Sequence, residues 1–101
     1  MNEKIVLLCA AGMSTSMLVN KMKEHSGNLQ REIEIYAYPI SEAAENANNA
    51  DAILLGPQVR FQEKKIKEMF PDISVTTIDM RDYGTMNGKK VLETTLELLG
   101  E

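Results

Sequence analysis

A chain of 101 residues, 44% hydrophobic and 26% charged, has the size of one globular domain and enough length for one core without disulfide staples. Its formal charge of −4, from 11 basic and 15 acidic side chains, argues against a nucleic-acid partner, which requires a basic face. A single cysteine and a single histidine exclude an internal disulfide and a zinc-type ligand set, and no apolar run approaches the roughly 20 residues of a membrane span.

The first element follows at once. In MNEKIVLLCAAG the apolar run is too short for a signal-peptide core and an acid accompanies the lysine before it, so the expected compartment is the cytoplasm. Lys4–Cys9 is almost continuously apolar, the mark of a strand covered on both faces. A helix is expected over Thr15–His25, with Leu18 and Met22 inward and Gly27-Asn28 as its stop. Over Glu32–Tyr38, Ile33, Ile35 and Ala37 alternate with Glu32, Glu34 and Tyr36, which predicts an edge strand. After Pro39 comes a short helix over Ser41–Ala47, facing inward through Ile40, Ala43, Ala44 and Ala47.

The second half repeats the pattern. Asp51–Gly56 encloses the apolar run AILL, hence a second central strand. Pro57 suits the first turn of a helix reaching Met69, with Val59, Ile66, Met69 and Phe70 inward and Pro71 at its end. Ile73, Val75 and Thr77 alternate in a fourth strand that closes at Ile78-Asp79. A loop, MRDYGTMNG, leads to a final helix capped by Asn87, lined by Leu92, Leu96 and Leu99, and stopped at Gly100.

Strands alternating with helices imply right-handed crossovers and an α/β fold: a four-stranded parallel sheet flanked by helices on both faces. With the two apolar strands central, the order is 2-1-3-4. Ligands in such sheets bind at the carboxyl ends of the strands beside the switch point, here between strands one and three. Cys9 ends strand one there, at an edge expected to face solvent. The residues after it, Ala10, Ala11, Gly12, Met13, Ser14, Thr15 and Ser16, turn into a helix whose first N–H groups have no partner within the helix. Those donors, the hydroxyls and the helix dipole suit an anion, and the same field favours a thiolate. An activated sulfur among such donors is what phosphoryl transfer through cysteine requires. The competing reading of a lone strand-end cysteine is a small buried hydrophobe.

Other residues reach the same edge. Gln58 follows strand three. Asp79, Asp82 and Tyr83 follow strand four, although a polar loop turning at Gly84 explains them as well. Arg60 and Arg81 read as solvated surface charges and His25 as a helix-end residue, while Met13 and Met17 make a candidate apolar rim. A receiver domain would need an aspartate where Leu55-Gly56 stands; a thioredoxin needs CxxC and a nucleotide P-loop needs GK[ST], and neither occurs.

The segments KIVLLCAAGMSTSMLVNKM (4–22) and NADAILLGPQVRF (49–61) resemble the IIB component of the phosphoenolpyruvate-dependent sugar phosphotransferase system, lactose/cellobiose type, and the strand–helix order matches from end to end. The resemblance implies one domain over residues 1–101, with Cys9 as the phosphocysteine nucleophile and residues 10–16 as its phosphate loop. It implies a IIA protein as phosphoryl donor and, as acceptor, a sugar held by a membrane IIC component, such as a β-glucoside, cellobiose or lactose. It implies no metal, no cofactor and no insertion of this chain into the membrane. The loop also resembles the C-x5-R loop of low-molecular-weight tyrosine phosphatases, but Thr15 stands where those enzymes carry arginine. Two alternatives stay open: a phosphatase or arsenate-reductase-like thiol enzyme, and a non-catalytic regulatory domain of the same fold.

Overall fold

The computed structural model describes residues 3–10 and 13–100, the side chains of Met13 and Ser14 excepted. Four strands, β1 (Glu3–Cys9), β2 (Ile33–Pro39), β3 (Ala52–Leu55) and β4 (Ser74–Thr77), form a sheet in the order β2-β1-β3-β4. All three pairings are parallel, with Leu8 opposite Tyr38 and Leu55, and Leu55 opposite Thr77. The expected order and the parallel sense are both observed.

The helices divide between the two faces. α1 (Met13–Asn28) and α5 (Gly88–Leu98) cover one face, where Leu18, Met22, Leu92 and Leu96 close over Ile5, Leu7 and Leu54. On the other lie α2 (Ala43–Asn46) and α3 (Glu63–Met69), with Ala43, Ala47, Ile66 and Phe70 over Val6, Leu8, Ile53 and Leu55. Each fully buried Leu or Ile contributes about 1.5–3 kcal/mol of hydrophobic stabilisation. The apolar runs of β1 and β3 are explained by this double cover.

Several expectations are corrected in detail. α1 does not stop at Gly27 but runs to Asn28. Its end is a Schellman turn in which Gln30 takes a positive φ of 56°, the Gln30 N–H donates to Gly27 O, and the Arg31 N–H donates to Ser26 O. The predicted helix over Ser41–Ala47 is a 3-10 turn, Ile40–Glu42, followed by the single turn α2, and Ala44 faces solvent. The helix begun by Pro57 is a 3-10 segment, Pro57–Gln62, kinked at Val59 before α3, and the rotation leaves Met69 exposed.

The loop MRDYGTMNG contains a further short helix, α4 (Met80–Gly84), followed by the Asn87 cap of α5 as expected. Asn87 Oδ1 accepts from the Lys90 N–H at 3.1 Å. His25, on α1, lies beside α5, its Nε2 3.3 Å from Glu93 Oε2.

Candidate functional site

The carboxyl ends of β1 and β3 lie side by side: the Gly56 N–H donates to Leu8 O at 2.9 Å, and the Ile78 N–H to Leu55 O at 2.8 Å. Cys9 is the last residue of β1 and by strand alternation shares the face of Ile5 and Leu7, the face α1 covers. Its sulfur therefore meets the first turns of α1. Sγ lies 3.0 Å from Thr15 Oγ1, and the thiol donates to Tyr38 O at 3.9 Å. Thr15 is fully enclosed and Cys9 is only 3% exposed. The expectation of a solvent-facing thiol is corrected: α1 and the end of β2 close around it.

Ala10 is exposed directly after the thiol. Ala11 and Gly12 lie outside the described residues, as do the side chains of Met13 and Ser14, whose backbone is helical. Ser16 and Met17 are exposed on α1.

The remaining candidates separate into two groups. A Cβ built on Gly56 would stand 3.2 Å from Gln58 Oε1, 3.7 Å from Leu8 O and 3.7 Å from Tyr83 Cε1. Gln58 and the buried Tyr83 thus converge on the β3 end, one residue from the strand position of Cys9. Asp79 and Asp82 line a cavity of about 250 Å³ with Thr76, Val91, Thr94 and Thr95 beside β4. Asp79 caps α4: its Oδ1 accepts from the N–H groups of Arg81 at 2.9 Å and Asp82 at 3.2 Å. Nearby, the Thr77 hydroxyl donates to Glu63 at 2.8 Å, which holds that carboxyl below its ordinary titration range and ties α3 to the end of β4.

The cap makes a testable assignment. Asp79→Ala is expected to lower stability by about 1 kcal/mol, or several degrees in thermal midpoint, and to leave transfer chemistry intact. Lost activity at an unchanged midpoint would make Asp79 a chemical group instead.

Sequence reasoning missed the Tyr38 carbonyl. The signal was the pairing of β1 with β2, since a backbone group beside Sγ is visible only once the register places Tyr38 opposite Leu8. Among the described residues no cluster of His, Cys, Asp or Glu is arranged to hold a metal.

Comparison with known proteins identifies the family and agrees with the fold. Residues 4–94 match the family model described as PTS system, Lactose/Cellobiose specific IIB subunit. The chain is 42% identical over 99 residues to the oligo-beta-mannoside-specific EIIB component of Bacillus subtilis, covering 96% of both proteins. It is 36% identical over 105 residues to the cellobiose-specific EIIB component of Lactococcus lactis, covering 97% of both.

Among solved structures, the cellobiose-specific IIB protein of Borrelia burgdorferi superposes with a TM-score of 0.82 at 36% identity, over 99% of this chain and 94% of that one. A low-molecular-weight tyrosine phosphatase from Bacillus subtilis shares the fold alone, with a TM-score of 0.54 at 15% identity, over 95% of this chain and 91% of that one. The chain belongs to the lactose/cellobiose-specific IIB family, the phosphotransferase components of sugar phosphotransferase systems.

Proposed function

We propose that this chain is a phosphoryl carrier working through Cys9. The sulfur attacks the phosphorus of a phosphohistidine on a IIA protein, the P–N bond breaks and an S–P bond forms. In the second step a hydroxyl of a sugar held by a membrane IIC component attacks the same phosphorus and gives up its proton to solvent. The S–P bond breaks, the sugar oxygen is phosphorylated, and the thiolate returns. The observation that carries this reading is the placement of Cys9 at the carboxyl end of β1, its sulfur 3.0 Å from a hydroxyl in the first turns of α1, within a chain of this family. The phosphate loop comprises Ala10 to Ser16.

Three exposed apolar side chains support docking at this end of the sheet. Met17 lies on α1, Phe61 follows β3 and Met80 follows β4, and Phe61 is 77% exposed. They belong to the segments that leave the carboxyl ends of β1, β3 and β4, the end that a IIA or IIC surface must approach to reach Cys9. No described helix is long and apolar enough to cross a membrane, which suits a chain that works at the cytoplasmic face of a separate membrane component. The names of two relatives, specific for oligo-beta-mannoside and cellobiose, support a β-linked di- or oligosaccharide, while a third is specific for the monosaccharide galactose; the choice of sugar belongs to IIC.

The test separates a carrier from a phosphatase. After loading from phosphoenolpyruvate through enzyme I, the histidine carrier protein and IIA, phosphocysteine is expected to persist for many minutes in buffer. It should discharge quickly only when IIC and sugar are added. The reason is that Thr15 replaces the arginine whose planar fork stabilises charge during hydrolysis. Release of phosphate within seconds would show a hydrolase, and failure to load would favour a regulatory domain.

A further inference from the structure

We propose that Thr15 is a positioning residue for the Cys9 sulfur, its hydroxyl donating a hydrogen bond to Sγ and favouring the thiolate. The inference rests on the carrier reading only for its consequence in transfer, since the contact itself is present without any phosphoryl group. Three observations combine. The Oγ1–Sγ separation is 3.0 Å in a buried setting, Thr15 is fully enclosed, and Sγ has a second neighbour in Tyr38 O at 3.9 Å.

While the thiol is neutral either atom of the pair can donate, and Tyr38 O, which only accepts, offers the thiol proton a second, more distant place. Ionisation fixes the direction: a thiolate can only accept, so the Thr15 hydroxyl then donates to the sulfur. When the thiol ionises, the Tyr38 carbonyl has no proton left to accept, whereas the Thr15 donor keeps its bond and gains a charged acceptor. Hydrogen bonds to charged groups are about twice as strong as neutral ones. The branched Cβ limits threonine to two main χ1 rotamers in a helix, and the full enclosure of Thr15 restricts exchange between them. Thr15 therefore acts on the sulfur, in addition to lying in the phosphate loop at the position where phosphatases carry arginine.

The test follows thiolate absorbance against pH in the full chain, with Cys9→Ser as the blank. Thr15→Val keeps the shape and removes the donor. Its thiolate signal is expected to appear about one pH unit or more higher than in the unaltered protein, from the strength of a bond to a charged group. Thr15→Ser restores the hydroxyl and should return most of the shift. An unmoved titration in Thr15→Val, or a serine variant shifted as far as the valine one, would overturn the inference. If valine prevents folding, serine against alanine reads the same contact, and equal titrations there would count against it. Loading from IIA, measured on the same samples, distinguishes the two failures: a shifted titration with no phosphoryl uptake by the unaltered protein would leave the contact standing and remove the carrier reading.

Discussion

Cys9→Ser is expected to fold as the parent does and to carry no transferable phosphoryl group. The serine hydroxyl is close in size to the thiol and keeps Thr15 Oγ1, 3.0 Å from the sulfur, as its hydrogen-bond partner, while Tyr38 O at 3.9 Å is beyond the reach of an O–H···O bond. No buried polar group is orphaned, so the change in stability should stay within about 1 kcal/mol. Chemistry is another matter. A thiol is partly ionised near neutral pH and its thiolate is a strong nucleophile, whereas a serine hydroxyl needs an adjacent base. The described neighbours of Cys9 supply no base: one is a hydroxyl and the other a carbonyl. Sugar phosphorylation in the reconstituted system should therefore fall to background while the thermal midpoint barely moves. Continued transfer by this variant would place the acceptor on another residue.

The largest structural effect is expected at Gly88. A Cβ there would lie 2.5 Å from Lys21 Cβ and 2.6 Å from both Lys21 C and Met22 N, so it would strike the backbone of α1 rather than the end of a flexible side chain. Gly88→Ala must push α5 away from α1 along the seam that buries Met22, Val91 and Leu92. Two effects oppose one another. Alanine favours a helix over glycine by up to about 1 kcal/mol, and less at a helix's first residue. Overpacking a tight contact costs typically about 1–3 kcal/mol. With rigid backbone on the far side, the second effect wins, and a net loss of about 2 kcal/mol is expected. For a domain of this size that corresponds to a thermal midpoint lower by roughly 8–16 °C. A midpoint equal to or above that of the parent would show that the α1–α5 seam yields freely.

Both effects bear on how much the amino-acid sequence reveals. The central strands were legible because β1 and β3 are buried on both faces, which leaves uninterrupted apolar runs that no surface element carries. The order β2-β1-β3-β4 followed from those two runs and from the handedness of parallel crossovers. Cys9 and the strand-three end at Gly56 were legible because each lies directly after such a run.

What was not legible depended on contacts between distant segments. α1 continues through Gly27 because the left-handed turn is taken by Gln30, a residue with no special preference for it, once Arg31 reaches back to Ser26. α4 reads as a loop because five residues show no periodicity, and nothing local shows that Asp79, a candidate for the site edge, caps it. Burial of the thiol was missed for the same kind of reason. It comes from the meeting of β1, the tip of β2 and the first turns of α1, and only the register shows that Tyr38 O stands beside Sγ. Gly88 carries no local sign that Lys21 lies against it.

The central claim is that Cys9 itself carries the phosphoryl group. It is tested most directly by loading the unaltered protein from phosphorylated IIA and locating the modification by peptide mass and phosphorus NMR under conditions that preserve the S–P bond. One phosphoryl group on the peptide containing Cys9, with a thiophosphate resonance that disappears on addition of IIC and sugar, is the predicted result. A phosphoryl group on His25, an aspartate or a hydroxyl residue, with the Cys9 thiol still free, would contradict it.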